Sequence, residues 1–211
     1  MPDVNLQLVR EFFELNLFHI LTNWGQEPWK QHTADYSAQL FVENTAPTPD
    51  AEPPFRLAHA DLSGIERAVV EVRAWHADRV YPSVIESNPV LSQFAGEPAL
   101  ALANEVFRGN PYRTILVISE LPATAEQRDR SIQLLQDAGI QHVLEFPTLL
   151  RGILDAVDVN ENYSGSTTLQ TLRLLKRYEL IRHQQMEFLF HSDAPAPRVT
   201  APVETVVRDE E

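Results

Sequence analysis

The sequence predicts an α/β domain whose mixed sheet, an antiparallel meander followed by a parallel βαβ unit, is flanked by helices. Three observations carry the prediction. The chain opens on a segment of helical period at residues 4–15. Three strand candidates follow, at about 17–24, 38–44 and 67–75. A further pair of strands, at 114–119 and 142–146, encloses one helix, and a strand–helix–strand unit of that length sets its two strands parallel.

Each element has a local reason. Apolar residues at 4, 6, 8, 9, 12, 13 and 15 make one stripe of a helix, with Asp3 as a candidate N-cap and Asn16 as a left-handed stop. The β-branched and aromatic content of LFHILTNW favours a strand at 17–24, and AQLFVEN is a second at 38–44. Prolines in TAPTPDAEPP cannot donate to a ladder, so this stretch is a surface excursion between strands. The third strand, at 67–75, lies within ERAVVEVRAWH.

A polar connection, DRVYPSVIESNPVLSQFAGEP, leads to a helix in PALALANEVFR, with Pro98 at its start and Gly109 after its end. TILVIS, at 114–119, is an uninterrupted apolar run of the kind buried on both faces. PATAEQRDRSIQLLQDAG supplies the crossover helix, with Thr124 and Gln127 in capping-box spacing and Gly139 as its stop. HVLEF at 142–146 closes the unit, TLLRGILDAV forms the next helix, and a last helix spans about 167–189. Residues 1–191 are expected to form one domain, and the acidic, proline-rich 192–211 a disordered tail.

Composition narrows the chemistry. At 211 residues, 44% apolar and 22% charged, the chain is long enough for a sizeable core. The formal net charge of −13 repels polyanions at long range, so a nucleic-acid role requires a local basic surface. No cysteine is present, which excludes thiolate nucleophiles, disulfides and cysteine-ligated metals. The seven histidines show no HxxxH or HExxH spacing, and phosphate-binding glycine motifs are absent. The absence of a signal-like start and of a long apolar run makes a cytoplasmic protein without a membrane span the expectation.

The third strand holds the chemically distinctive residues. Val70 and Val72 face one side, while Glu71 and Arg73 share the other with Val69 and Trp75, because strand side chains alternate. A helix, a three-strand meander whose third strand reads apolar-apolar-Glu-x-basic, then a helix and another strand resembles the restriction-endonuclease-like core of the PD-(D/E)XK nuclease superfamily. The resemblance covers roughly residues 4–146 and implies a Mg²⁺-dependent phosphodiester-cleaving nuclease. In that family a second-strand acid and the third-strand glutamate bind Mg²⁺, and a lysine orients or activates water.

Carried over by position, Glu71 is the third-strand carboxylate, Arg73 takes the place of the lysine, and Gln39 stands where the second-strand aspartate is expected. Glu71, Asp35 and Gln39 are then the candidate metal ligands, with Asp35 the preferred substitute acid and Asp61, Glu11 and Glu14 the other candidates. Glu71, Arg73 and His76 are the candidate catalytic residues, with Arg73 and His76 stabilising phosphate charge. An amide carries no charge and an arginine cannot act as a base near neutral pH, so two alternatives stand beside hydrolysis. One is an ion pair between Glu71 and Arg73 on a solvated sheet face. The other is a catalytically inactive module of the same fold that binds a protein partner or acts in regulation. Arg173, Lys176 and Arg177 on the last helix form a local basic stripe that could meet nucleic acid, or a solvated face whose opposite side buries Leu169, Leu172 and Leu175.

Overall fold

The computed structural model describes residues 4–21, 38–48, 52–74, 76–88, 91 and 95–181. Residues 22–24 and 75 of the expected strands, the expected last helix from 182 onward and the tail 192–211 lie outside them. Five strands form one sheet in sequence order: β1 (Phe18–Leu21), β2 (Ala38–Asn44), β3 (Arg67–Arg73), β4 (Arg113–Ile118) and β5 (His142–Glu145). β1, β2 and β3 pair antiparallel, and β4 and β5 then add in parallel, which is the expected mixed sheet.

Alternation along the strands builds two apolar layers. On one face Ala68, Val70 and Val72 join Val42, Ile115, Val117 and Leu144. Helices α1 (Val4–Leu15) and α5 (Phe146–Ala156) cover this face with Phe12, Phe13, Leu149 and Ile153. The opposite face carries two clusters. Phe41 and Val69 meet Ala103 of α3 (Glu97–Val106) and the adjoining Phe107. Leu116, Ile118 and Val143 meet Leu135 of α4 (Ala125–Asp137) and Val80, just before α2 (Pro82–Ser87). α2 lies inside the stretch read above as a plain connection, where Pro82 supplies its first turn.

The ends of α1 and α6 (Thr167–Arg177) differ from expectation. Asn16 keeps a helical role, its Nδ2 donating to the Phe12 carbonyl at 2.7 Å, and Leu17 takes the left-handed turn at φ 64°. Leu17 is 62% exposed, so its side chain contributes little packing against that conformational cost. Leu17→Gly is therefore expected to raise stability by about 1 kcal/mol, read as a shift in denaturant midpoint. α6 ends at Arg177, where the expected helix continues, because Glu179 adopts φ 55° after the Tyr178 cap.

The excursion between β2 and β3 reaches the far edge of the sheet. Leu57 N donates to the Val143 carbonyl at 2.9 Å and Val143 N to the Phe55 carbonyl at 2.7 Å, so residues 55–57 cover the β5 edge. The chain then enters a 3₁₀ turn (His59–Gly64) before β3. His142, 3% exposed, supports this crossing by donating Nδ1–H to the Pro54 carbonyl at 3.0 Å. Burial, chiefly, holds the His142 pKa below the ordinary histidine value of 6.5, with the nearby Arg113 charge acting in the same direction.

The unfolded chain therefore takes up the proton at a higher pH than the native one. The contribution of neutral His142 is complete above about pH 6.5 and is lost as the pH falls below it, toward the lower native pKa. Urea midpoints measured between pH 7.5 and 5.5 are expected to fall with acidification, and His142→Gln should flatten that dependence.

Candidate functional site

β3 is the central strand, and antiparallel register brings Gln39 directly opposite Glu71. Directly opposed residues have Cβ atoms about 4.5–5.5 Å apart, close enough to share one ligand. On the other side Glu71 adjoins Leu116 and Arg73 adjoins Ile118. Glu71 is 1% exposed and Arg73 5%, and Arg73 Nε donates to Glu71 Oε1 at 2.9 Å. The expected ion pair is present, but on a buried face. The sheet face expected to be solvated is buried: Val69 of one apolar cluster precedes the pair on β3, and Leu116 and Ile118 of the other adjoin it on β4.

A guanidinium against the carboxylate has a chemical consequence. A cation approaching Glu71 Oε1 must displace Arg73, and separating a buried pair leaves a charge without its counter-ion. Nor do the other candidate acids converge. Asp61 Oδ2 accepts from Ala58 N at 2.7 Å within the 3₁₀ turn, whose Leu62 packs into the opposite face of the sheet. Glu11 belongs to α1 on that same opposite face, where Gln7 Nε2 and Ser166 Oγ both donate to its Oε1. Glu14 pairs with Arg10 at 2.9 Å on the surface. Asp35 lies outside the described residues. Among the described residues no group of three or more His, Asp or Glu is placed to hold a metal ion.

His76 does not join the pair but a cavity. Its ring meets Phe146 edge-on, with centroids 4.6 Å apart, and its Nε2 lies 3.0 Å from Asn5 Oδ1. The cavity, about 470 Å³, opens at the carboxyl ends of β3, β4 and β5 and is also lined by Asp78, Tyr81, Ser119 and Leu150. Beside it a second cavity of about 290 Å³ shares Arg79, Glu120 and Pro147 with the first.

Topology creates this pair of cavities. After β4 the chain turns into α4 on one face, and after β5 into α5 on the other. Neighbouring parallel strands whose following helices diverge to opposite faces leave a crevice outside their carboxyl ends, which is where open α/β sheets bind ligands. No motif in the sequence marked this crevice. The available signal was the βαβ unit followed at once by another helix start at Pro147.

The basic stripe on α6 is largely engaged within the fold. Arg173 Nε donates to the Val159 carbonyl at 3.0 Å, and Lys176 Nζ donates to the carbonyls of Leu154 and Val157 near the end of α5. These contacts satisfy carbonyls at and beyond a helix C-terminus with positive charge. Arg177 remains exposed. Among the described residues no helix is long and apolar enough to cross a membrane. No family model, curated protein or solved structure matches the chain.

Proposed function

We propose that this protein is a restriction-endonuclease-like binding module that works by engaging a protein partner or a regulatory ligand and does not cleave phosphodiesters. The observation that carries the reading is the Glu71–Arg73 pair, buried at 1% and 5% exposure with Nε and Oε1 2.9 Å apart. The residue that would hold Mg²⁺ is neutralised by the one that replaces the family's lysine, and opposite it stands an uncharged amide. The net charge of −13 adds long-range repulsion of nucleic acid.

A Mg²⁺-dependent nuclease is the second reading, and one observation favours it. Gln39 faces Glu71 across β2 and β3, where a second oxygen ligand would have to stand. A hard cation there would need further oxygen donors and the withdrawal of Arg73.

The two readings separate in one assay. Purified protein with Mg²⁺ or Mn²⁺ is incubated with single- and double-stranded DNA and RNA, beside Glu71→Gln protein verified to fold. Binding without hydrolysis predicts no cleavage above background from either. Metal-dependent cleavage lost in Glu71→Gln would establish the nuclease instead.

A further inference from the structure

Four arginines, from four separate segments, converge on the 290 Å³ cavity: Arg56 from the excursion, Arg79 from the connection after β3, Arg128 from α4 and Arg151 from α5. Two glutamates share the cavity, so its charged lining is net positive in a chain whose formal charge is −13. The glutamates are already committed. Glu145, 6% exposed, accepts from Leu121 N at 2.9 Å through Oε1 and from Arg56 Nε through Oε2. Glu120 Oε2 accepts from Arg79 Nε at 2.9 Å.

Both pairings use Nε, which orients each guanidinium and leaves its terminal nitrogens as donors. Among the described residues Arg128 donates only to the Ala123 carbonyl, at 3.3 Å, and Arg151 makes no ion pair. Positive charge has therefore been gathered here beyond what the carboxylates of the cavity neutralise.

The backbone around the cavity acts in the same sense. α4 and α5 begin at its rim, with Pro122, Pro147 and Thr148 in the lining. Neither helix has a side-chain hydrogen bond from its N-cap residue, Thr124 or Glu145, to its first turn. Their partial positive charge adds to that of the arginines.

We propose that this crevice binds the phosphate of a small phosphomonoester, the phosphate among Arg56, Arg79, Arg128 and Arg151 and the organic body in the adjoining 470 Å³ cavity. Guanidinium groups arriving from several directions suit a tetrahedral oxyanion with three terminal oxygens, whereas a planar carboxylate is satisfied by one fork. Tyr81, Phe146 and Leu150 supply the apolar and aromatic wall that the body would meet. The inference goes beyond a non-hydrolytic role and rests on other residues than Glu71 and Arg73, so a failure of either leaves the other standing.

The test is titration calorimetry of the full chain with phenyl phosphate and with inorganic phosphate at constant ionic strength. The same titrations are run on Arg128→Ala/Arg151→Ala, on the charge-retaining Arg128→Lys/Arg151→Lys, and on Arg10→Ala as a remote control. Circular dichroism checks that each variant folds. Saturable binding of phenyl phosphate is expected, tighter than that of inorganic phosphate, unchanged in Arg10→Ala and weakened about tenfold or more in the double alanine variant. The lysine variant should fall between. No saturable binding to the wild type, or equal affinity in the wild type and the double alanine variant, overturns the site. Equal affinity for the two phosphates overturns the assignment of the larger cavity to the organic body.

Discussion

Arg73→Ala is expected to destabilise the protein by about 3–5 kcal/mol, because it leaves the Glu71 carboxylate buried without its counter-ion. Arg73 Nε and Glu71 Oε1 stand 2.9 Å apart on a buried sheet face, with 5% and 1% of the residues exposed and Ile118 and Leu116 beside them on β4. Replacing both with apolar residues of similar size should behave differently. Glu71→Leu/Arg73→Met removes two desolvation penalties together with one attraction, so it is expected to be near neutral or stabilising. Urea denaturation of the wild type, Glu71→Leu, Arg73→Met and the double variant forms the required cycle, with Arg73→Ala measured beside it. A loss below about 1 kcal/mol for Arg73→Ala, the range of surface pairs, would contradict the buried geometry. The cycle also bears on function: a double apolar variant that folds and keeps its binding behaviour would leave the pair no chemical role.

Phe12→Ala should cost about 3–5 kcal/mol, the range for truncating a fully buried phenyl ring. Phe12 is 0% exposed and meets Phe13 edge-on, with centroids 5.6 Å apart, at the junction of α1 with α5. The close approach of those helices depends on Gly152. A Cβ added there would lie 2.6 Å from Phe12 Cε2 and 3.3 Å from His59 Cδ2. Gly152→Ala alone is therefore expected to destabilise by about 1–3 kcal/mol despite the better helix propensity of alanine. In a Phe12→Ala background the same methyl enters space the ring has left, and the penalty should vanish or reverse. Thermal melts of the four proteins measure that coupling, and additive effects would show that ring and glycine are not in contact.

Much of the architecture was legible because it rests on local periodicity. Alternation along AQLFVEN and RAVVEVR, the unbroken apolar run of β4, and the stop at Gly139, which takes φ 86°, all act within a few residues of chain. The turn at Leu17 was misplaced onto Asn16 because asparagine tolerates the left-handed region better. In the structure the Asn16 side chain bonds back to the helix, and the next residue takes the turn. Glu179 ended α6 without any sequence warning, since glutamate is a good helix former.

The site divides along the same line. That Glu71 and Arg73 share one side of a strand, and that no cysteine chemistry is available, follow from the sequence alone, because alternation and composition need no partner. That the pair is buried, that Gln39 faces it, and that Asp61 and Glu11 belong to the other side of the sheet are matters of pairing and layer, decided by residues far away in the chain. The arginine-lined crevice lies wholly in this second category. Arg56, Arg79, Arg128 and Arg151 are spread over nearly a hundred residues and form no motif. They meet because the excursion crosses to the β5 edge and because α4 and α5 leave neighbouring parallel strands toward opposite faces, a placement that only packing of the whole sheet determines.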